Sequence, residues 1–130
     1  MMKSYSKYNN KKVTVDGIEF DSRKEANRYR ELRLMLRAKE IKDLRLQVPF
    51  ELVPNQYETV TVQLKTKTKQ VEKLIERKVE YIADFVYTDC KKNETVVEDV
   101  KGYKQGGAYA VFQIKRKLML HVYGIKVIEI

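Results

Sequence analysis

Three residues in two neighbouring strand-like runs carry the chemistry that this sequence offers. Asp84 lies within the run Val79 to Tyr87, and Asp99 and Lys101 lie within the run Thr95 to Lys101. Side chains alternate faces along a strand, so Asp99 and Lys101 point the same way, roughly 7 Å apart, and Glu98 points the opposite way. If the two runs form a hairpin, pairing Asp89 with Glu94 leaves the loop Cys90-Lys91-Lys92-Asn93. The same register sets Asp84 across from Asp99, at the separation of about 5 Å typical of cross-strand neighbours. Two carboxylates that close repel each other in a half-buried sheet, and the arrangement becomes reasonable when a divalent cation lies between them. A lysine beside such a cation can position and activate a water.

The elements around these residues must hold them in place. Tyr81-Ile-Ala-Asp-Phe-Val-Tyr87 is apolar on both faces except at Asp84, the pattern of a central strand covered on both sides. Burying a polar group there without compensation costs roughly 2–7 kcal/mol, so Asp84 needs a partner, either a cation or a salt bridge from Lys101 alone. Upstream, Ser22 caps a helix running to about Lys39. Ser22-x-x-Glu25 fits a capping box, which gives Glu25 a structural role. Glu25 also falls in line with Tyr29, Leu32 and Leu36, the apolar stripe expected to face the sheet, from where a carboxylate can reach a metal. Arg23, Arg30, Arg33 and Arg37 occupy the opposite side.

The remaining chain reads as framework and as basic surface. Leu44 to Leu52 is a strand with Leu44, Leu46, Val48 and Phe50 on one face. Pro49 makes it an edge or a bend, and Gln47 is either a hydrogen-bond partner near the site or, more simply, an exposed sheet glutamine. Thr59 to Thr68 alternates with Val60, Val62 and Leu64 inward, Lys69 to Lys73 supplies a turn, and the chain returns through Leu74 to Tyr87. Lys65 and Lys67 on this hairpin either follow a nucleic-acid backbone or protect an exposed edge. Gly102 to Gly107, with Lys104, forms a glycine-rich loop without P-loop spacing, so no nucleotide cofactor is indicated. A second helix, Ala108 to Tyr123, packs through Val111, Phe112, Leu118, Met119 and Val122 and ends at Gly124. Its Lys115 and Lys117 are phosphate contacts or an ordinary solvated face. Val13 to Phe20, with Asp16-Gly17, forms a small hairpin after a basic arm over residues 1–12, and Ile125 to Ile130 is a closing strand.

Composition bounds the answer. One domain is expected from 130 residues, and 43% hydrophobic with 35% charged residues describes a globular chain. A net charge of +9 and a pI near 9.5 favour a polyanionic partner, although acidic membranes and proteins also attract basic chains. No apolar run approaches the roughly 20 residues of a membrane span, and the N-terminus lacks a signal-peptide segment, so no membrane role and an intracellular location are expected. One cysteine, Cys90, and one histidine leave no thiolate or imidazole cluster. Oxygen ligands remain, which suit Mg²⁺ or Mn²⁺.

The order acidic residue on one strand, then Asp-x-Lys on the next, resembles the PD-(D/E)XK nuclease superfamily. Phe20-x-Ser-x-x-Glu25, Gln47-Val-Pro-Phe50, Tyr81-Ile-Ala-Asp-Phe85, Glu98-Asp-Val-Lys-Gly102 and Lys115-Arg-Lys-Leu118 are similar to a small phage or prophage family related to Holliday-junction resolvases. The resemblance implies a single-domain α/β restriction-endonuclease-like fold with a mixed central sheet flanked by helices. It implies catalysis by Glu25, Asp84, Asp99 and Lys101, and Mg²⁺, replaceable by Mn²⁺, held by Asp84, Asp99, the Val100 carbonyl and Glu25. It also implies DNA as the substrate, branched DNA among the forms, a homodimer, and the cytoplasm of a bacterial host. Two other readings stand beside it: a basic protein that binds nucleic acid without cutting it, and a structural protein whose charges form surface ion pairs.

Overall fold

Asp16 and Gly17 both take positive φ, 52° and 75°, the pairing that a tight two-residue hairpin turn requires. They join β1 (Val13–Val15) to β2 (Ile18–Phe20). In the computed structural model, which describes residues 11–130, this hairpin leads into α1 (Arg23–Arg37). Ser22 caps α1, its hydroxyl accepting from the Glu25 N–H at 3.1 Å. There follow β3 (Ile41–Val53), β4 (Gln56–Gln63), β5 (Thr68–Glu76), β6 (Val79–Asp89), β7 (Glu94–Asp99), α2 (Gly106–Tyr123) and β8 (Val127–Glu129). All but Lys11 and Lys12 of the expected basic arm lies outside the described residues.

The central sheet has the order β3-β6-β7-β8. The first three strands are antiparallel, and β8 runs parallel to β7, so the sheet is mixed and the protein is a single α/β domain. β6 is central, as its two-sided apolar pattern implies, and β3 forms an edge that tolerates Pro49. One core gathers Phe20, Ala26, Tyr29, Leu32, Phe85 and Tyr87 beneath α1. A second gathers Tyr81, Ala83, Val86, Val97, Phe112 and Met119 beneath α2. Among the described residues, no helix is long and apolar enough to cross a membrane.

Three expectations require correction. Leu44, Leu46, Val48 and Phe50 do not share one environment: the first two pack into the α1 core and the last two into the α2 core. Between them Gln47 adopts φ 51°, in the left-handed region that non-glycine residues rarely enter, and this kink ends the simple period-two pattern.

The turn expected at Lys69 to Lys73 lies instead at Leu64 to Lys67, where the Leu64 N–H donates to the Lys67 carbonyl at 2.8 Å. Lys69 to Lys73 is strand, with Val60 opposite Val71, because Thr68, Val71, Leu74 and Ile75 favour extended pairing. The β4–β5 hairpin is a sheet of its own and, among the described residues, packs against no other element. Val62 and Leu64 are therefore exposed rather than inward.

In α2, Phe112 and Met119 are buried, but Val111 and Val122 are exposed. At about 100° per residue they fall to one side of the line through Phe112 and Met119.

Candidate active site

The β6–β7 ladder begins at Asp89↔Glu94 and ends at Phe85↔Glu98. One step further on, the Val100 N–H donates to Asp84 Oδ2 at 2.8 Å, so the carboxylate fills the place where a backbone acceptor would continue the ladder. Asp99 is buried, its Oδ1 accepting from the Tyr81 hydroxyl at 2.9 Å and its Oδ2 lying 2.6 Å from Lys101 Nζ. That ammonium also sits 4.1 Å over the Phe112 ring. Asp99 Oδ2 is buried, and its partner is the Lys101 ammonium. Asp99 and Lys101 thus lie on one side, as alternation implies, although β7 ends at Asp99 and the lysine's ion pair is with Asp99 where the sequence suggested Asp84. Glu98 turns the other way, into a buried cluster with Arg28 and the Tyr87 hydroxyl.

Glu25 is brought to the same place from α1. Gln47 Nε2 lies 3.2 Å from Glu25 Oε1 and 3.1 Å from Asp84 Oδ1, bridging helix and sheet. Gln47 is exposed, as its simplest reading from sequence has it, and it is also a hydrogen-bond partner within the site. Alternation alone sets it on the face of Arg45, and with its backbone at φ 51° it reaches both Glu25 and Asp84. Glu25, Asp84, Asp99, Val100 and Lys101 line one cavity of about 430 Å³, together with Asp21 and Ser22.

Electrostatics in this cavity are under-neutralised. Burial, followed by the Asp84, Asp21 and Asp99 charges, pushes the Glu25 carboxyl up to about 7, against a lowering hydrogen bond from the Asp21 backbone. Asp84 is also raised, first by burial and further by Asp99, although the Val100 N–H, Gln47 and Lys101 oppose the shift. Burial and the neighbouring Asp99 likewise raise the Tyr81 hydroxyl, which keeps it a donor. Carboxylates held up in this way call for additional positive charge.

The donor set suits a hard cation. Asp84, Asp99 and the Val100 carbonyl offer only oxygen, and Asp99 Oδ2 is a buried acceptor whose partner is the Lys101 ammonium. Among the described residues, no group of three or more His, Cys, Asp and Glu side chains forms a ready cage for a metal ion. Magnesium is commonly held by one or two carboxylates with waters completing its shell, and Asp84 and Asp99 are sufficient for that.

The basic residues separate. Lys115 lines a second hollow of about 370 Å³ that also includes Asp99 and Lys101. Lys117 faces elsewhere, beside Arg116, Leu120 and Lys126. Lys104 lies 3.5 Å from Glu129, which also receives Arg116 and the Tyr109 hydroxyl. Lys65 and Lys67 sit at the exposed turn of the β4–β5 hairpin.

A family model described as "Protein of unknown function (DUF1064)" matches residues 5–127. The chain belongs to this family. No curated protein matches the DUF1064 chain, and no solved structure matches it. Its Glu25, Gln47, Asp84, Asp99 and Lys101 are spread over most of the matched span.

Proposed function

We propose that this protein is a Mg²⁺-dependent endodeoxyribonuclease that hydrolyses DNA phosphodiester bonds, with a preference for branched DNA. The observation that carries the reading is the single cavity shared by Glu25, Asp84, Asp99, Val100 and Lys101, with an anchored lysine beside two crowded carboxylates. Asp84, Asp99 and the Val100 carbonyl would hold Mg²⁺ or Mn²⁺, with Glu25 contributing directly or through water. When bound, the cation supplies Lewis-acid polarisation of the phosphoryl oxygen and stabilises the leaving oxyanion.

The chain's own residues do the remaining work. Lys101, fixed between Asp99 and the Phe112 ring, presents its ammonium to the attacking water and stabilises the hydroxide that forms. Tyr81 holds Asp99 and Gln47 holds Asp84, so neither carboxylate must reorganise as charge develops. Lys24 fixes the following loop by donating to the Lys101 carbonyl at 2.8 Å. Lys65, Lys67, Lys104, Lys115 and Lys117 attract the phosphate backbone, which is consistent with the net charge of +9. Action as a homodimer, so that two sites cut two strands, and residence in the cytoplasm of a bacterial host belong to the same proposal, as does a role in phage recombination or DNA processing.

The test is a cleavage assay on junction, flap, duplex and single-stranded DNA with Mg²⁺, Mn²⁺ or EDTA, with Asp84→Asn as control. Metal-dependent cutting that this variant lacks is the expected result. The second reading is nucleic-acid binding without cleavage, which the net charge of +9 would serve equally well. Tight DNA binding with no cutting of any of these substrates would establish it in place of the nuclease.

A further inference from the structure

The hollow that contains Lys115 is not a separate feature of the surface. It shares Ile82, Asp99 and Lys101 with the acidic cavity, so the two form one cleft with unlike halves. The acidic half holds Glu25, Asp84 and Asp99. The other half is floored by the Tyr81 and Phe112 rings, whose centroids are 6.2 Å apart. Ile82 and Val111 form its walls, and although they are large apolar side chains they are 48% and 51% exposed. Lys101 and its ion-pair partner Asp99 are common to both halves; this half adds the ammonium of Lys115 and the carboxylate of Glu80, which pairs with Lys78 at 3.4 Å.

We propose that this half of the cleft receives the nucleobase next to the scissile phosphate, turned out of its stack. The inference rests on the nuclease reading and specifies the kind of DNA that the site takes. An apolar slot beside two ammonium groups complements a base with its attached phosphate: the flat base covers Ile82 and Val111, and Lys101 and Lys115 meet the anionic backbone. Glu80 provides an acceptor for an exocyclic amino group, which disfavours thymine. Taking a base out of a duplex costs a few kcal/mol and is least costly where the base is already unpaired or distorted. The slot therefore selects branch points, flaps and single strands over plain duplex.

The experiment uses the full chain in EDTA, so that binding is read without cutting. Junction and flap DNAs carry 2-aminopurine, one position at a time, across the branch, because this base brightens when it leaves the stack. The expected result is a severalfold rise at one or two adjacent positions. Val111→Glu and Ile82→Glu should abolish the rise, with DNA affinity falling no more than about tenfold. Both residues are at the surface, so at least one variant should fold, and circular dichroism checks this. With Mg²⁺, unpaired substrates should be cut at least about tenfold faster than duplex. Cleavage without brightening at any position, or brightening unchanged in both variants, overturns the base slot and leaves the nuclease reading standing. Brightening without cleavage in either metal supports the slot and overturns the nuclease.

Discussion

Gln47 Nε2 lies within hydrogen-bonding distance of Asp84 Oδ1 and of Glu25 Oε1, so one amide ties the central strand to the first helix across the candidate site. Gln47 holds this position with a left-handed backbone in the middle of an edge strand. Strain of this kind costs on the order of 1–3 kcal/mol and persists where the surrounding structure enforces it.

Replacing the amide tests its importance. Gln47→Ala leaves two carboxylate oxygens without a donor, and we expect a loss of about 1–3 kcal/mol in stability by urea denaturation, partly recovered on adding Mn²⁺. Gln47→Glu places another acid in the cluster and should destabilise the metal-free protein more than alanine does.

Glu25 sets a pH dependence. Its folded pKa, about 7 against the ordinary 4.5, means that the native state binds the extra proton, so this contribution to stability is fully present below pH 4.5 and is lost as pH rises through 7. In EDTA the protein should be more stable at pH 5 than at pH 8 by on the order of 2–3 kcal/mol, before solvent screening reduces the difference. Asp84, also raised, acts in the same direction. Glu25→Gln should flatten most of this slope in thermal melts, and an unchanged slope would place its origin elsewhere.

Lys101 and the surface lysines should give opposite signatures. Lys101→Ala is expected to abolish cleavage in Mg²⁺ while changing DNA affinity little. Neutralising Lys65 and Lys67 on the free hairpin should leave the chemistry intact but weaken binding, lowering the logarithmic salt slope by about 0.9 for each lost phosphate contact. Titrations at several salt concentrations, run beside single-turnover cleavage, separate the two.

Arg28 grips Glu98, which is 1% exposed, through Nε at 2.8 Å and Nη2 at 2.6 Å. The pair sits between Glu25, one turn back on α1, and Asp99, the next residue on β7. Glu98→Ala or Arg28→Ala breaks a buried pair from one side and should cost roughly 3–5 kcal/mol. Arg28→Met combined with Glu98→Gln should be less damaging than either single loss, as a double-mutant cycle in urea would reveal.

The features legible in sequence are those that depend on neighbours along the chain. The two-residue period and the length of the Cys90 to Asn93 turn set the Asp89↔Glu94 register, which runs as far as Phe85↔Glu98; Asp84 and Asp99, the next step, are not paired but line one cavity. The same period puts Asp99 and Lys101 on one side and Glu98 on the other, and Ser22 marks the helix start that points Glu25 toward the sheet.

Tertiary structure decided what depends on residues far apart in sequence. Gln47 joined the site by reaching, with its backbone at φ 51°, a helix residue 22 positions earlier. Arg28 found Glu98 across 70 residues, a pairing that no local pattern encodes. The β4–β5 hairpin has the alternation of a packed strand pair, yet it stands alone because, among the described residues, no other element approaches it. Periodicity reports which face of a segment is apolar; what covers that face is settled only when the whole chain has folded.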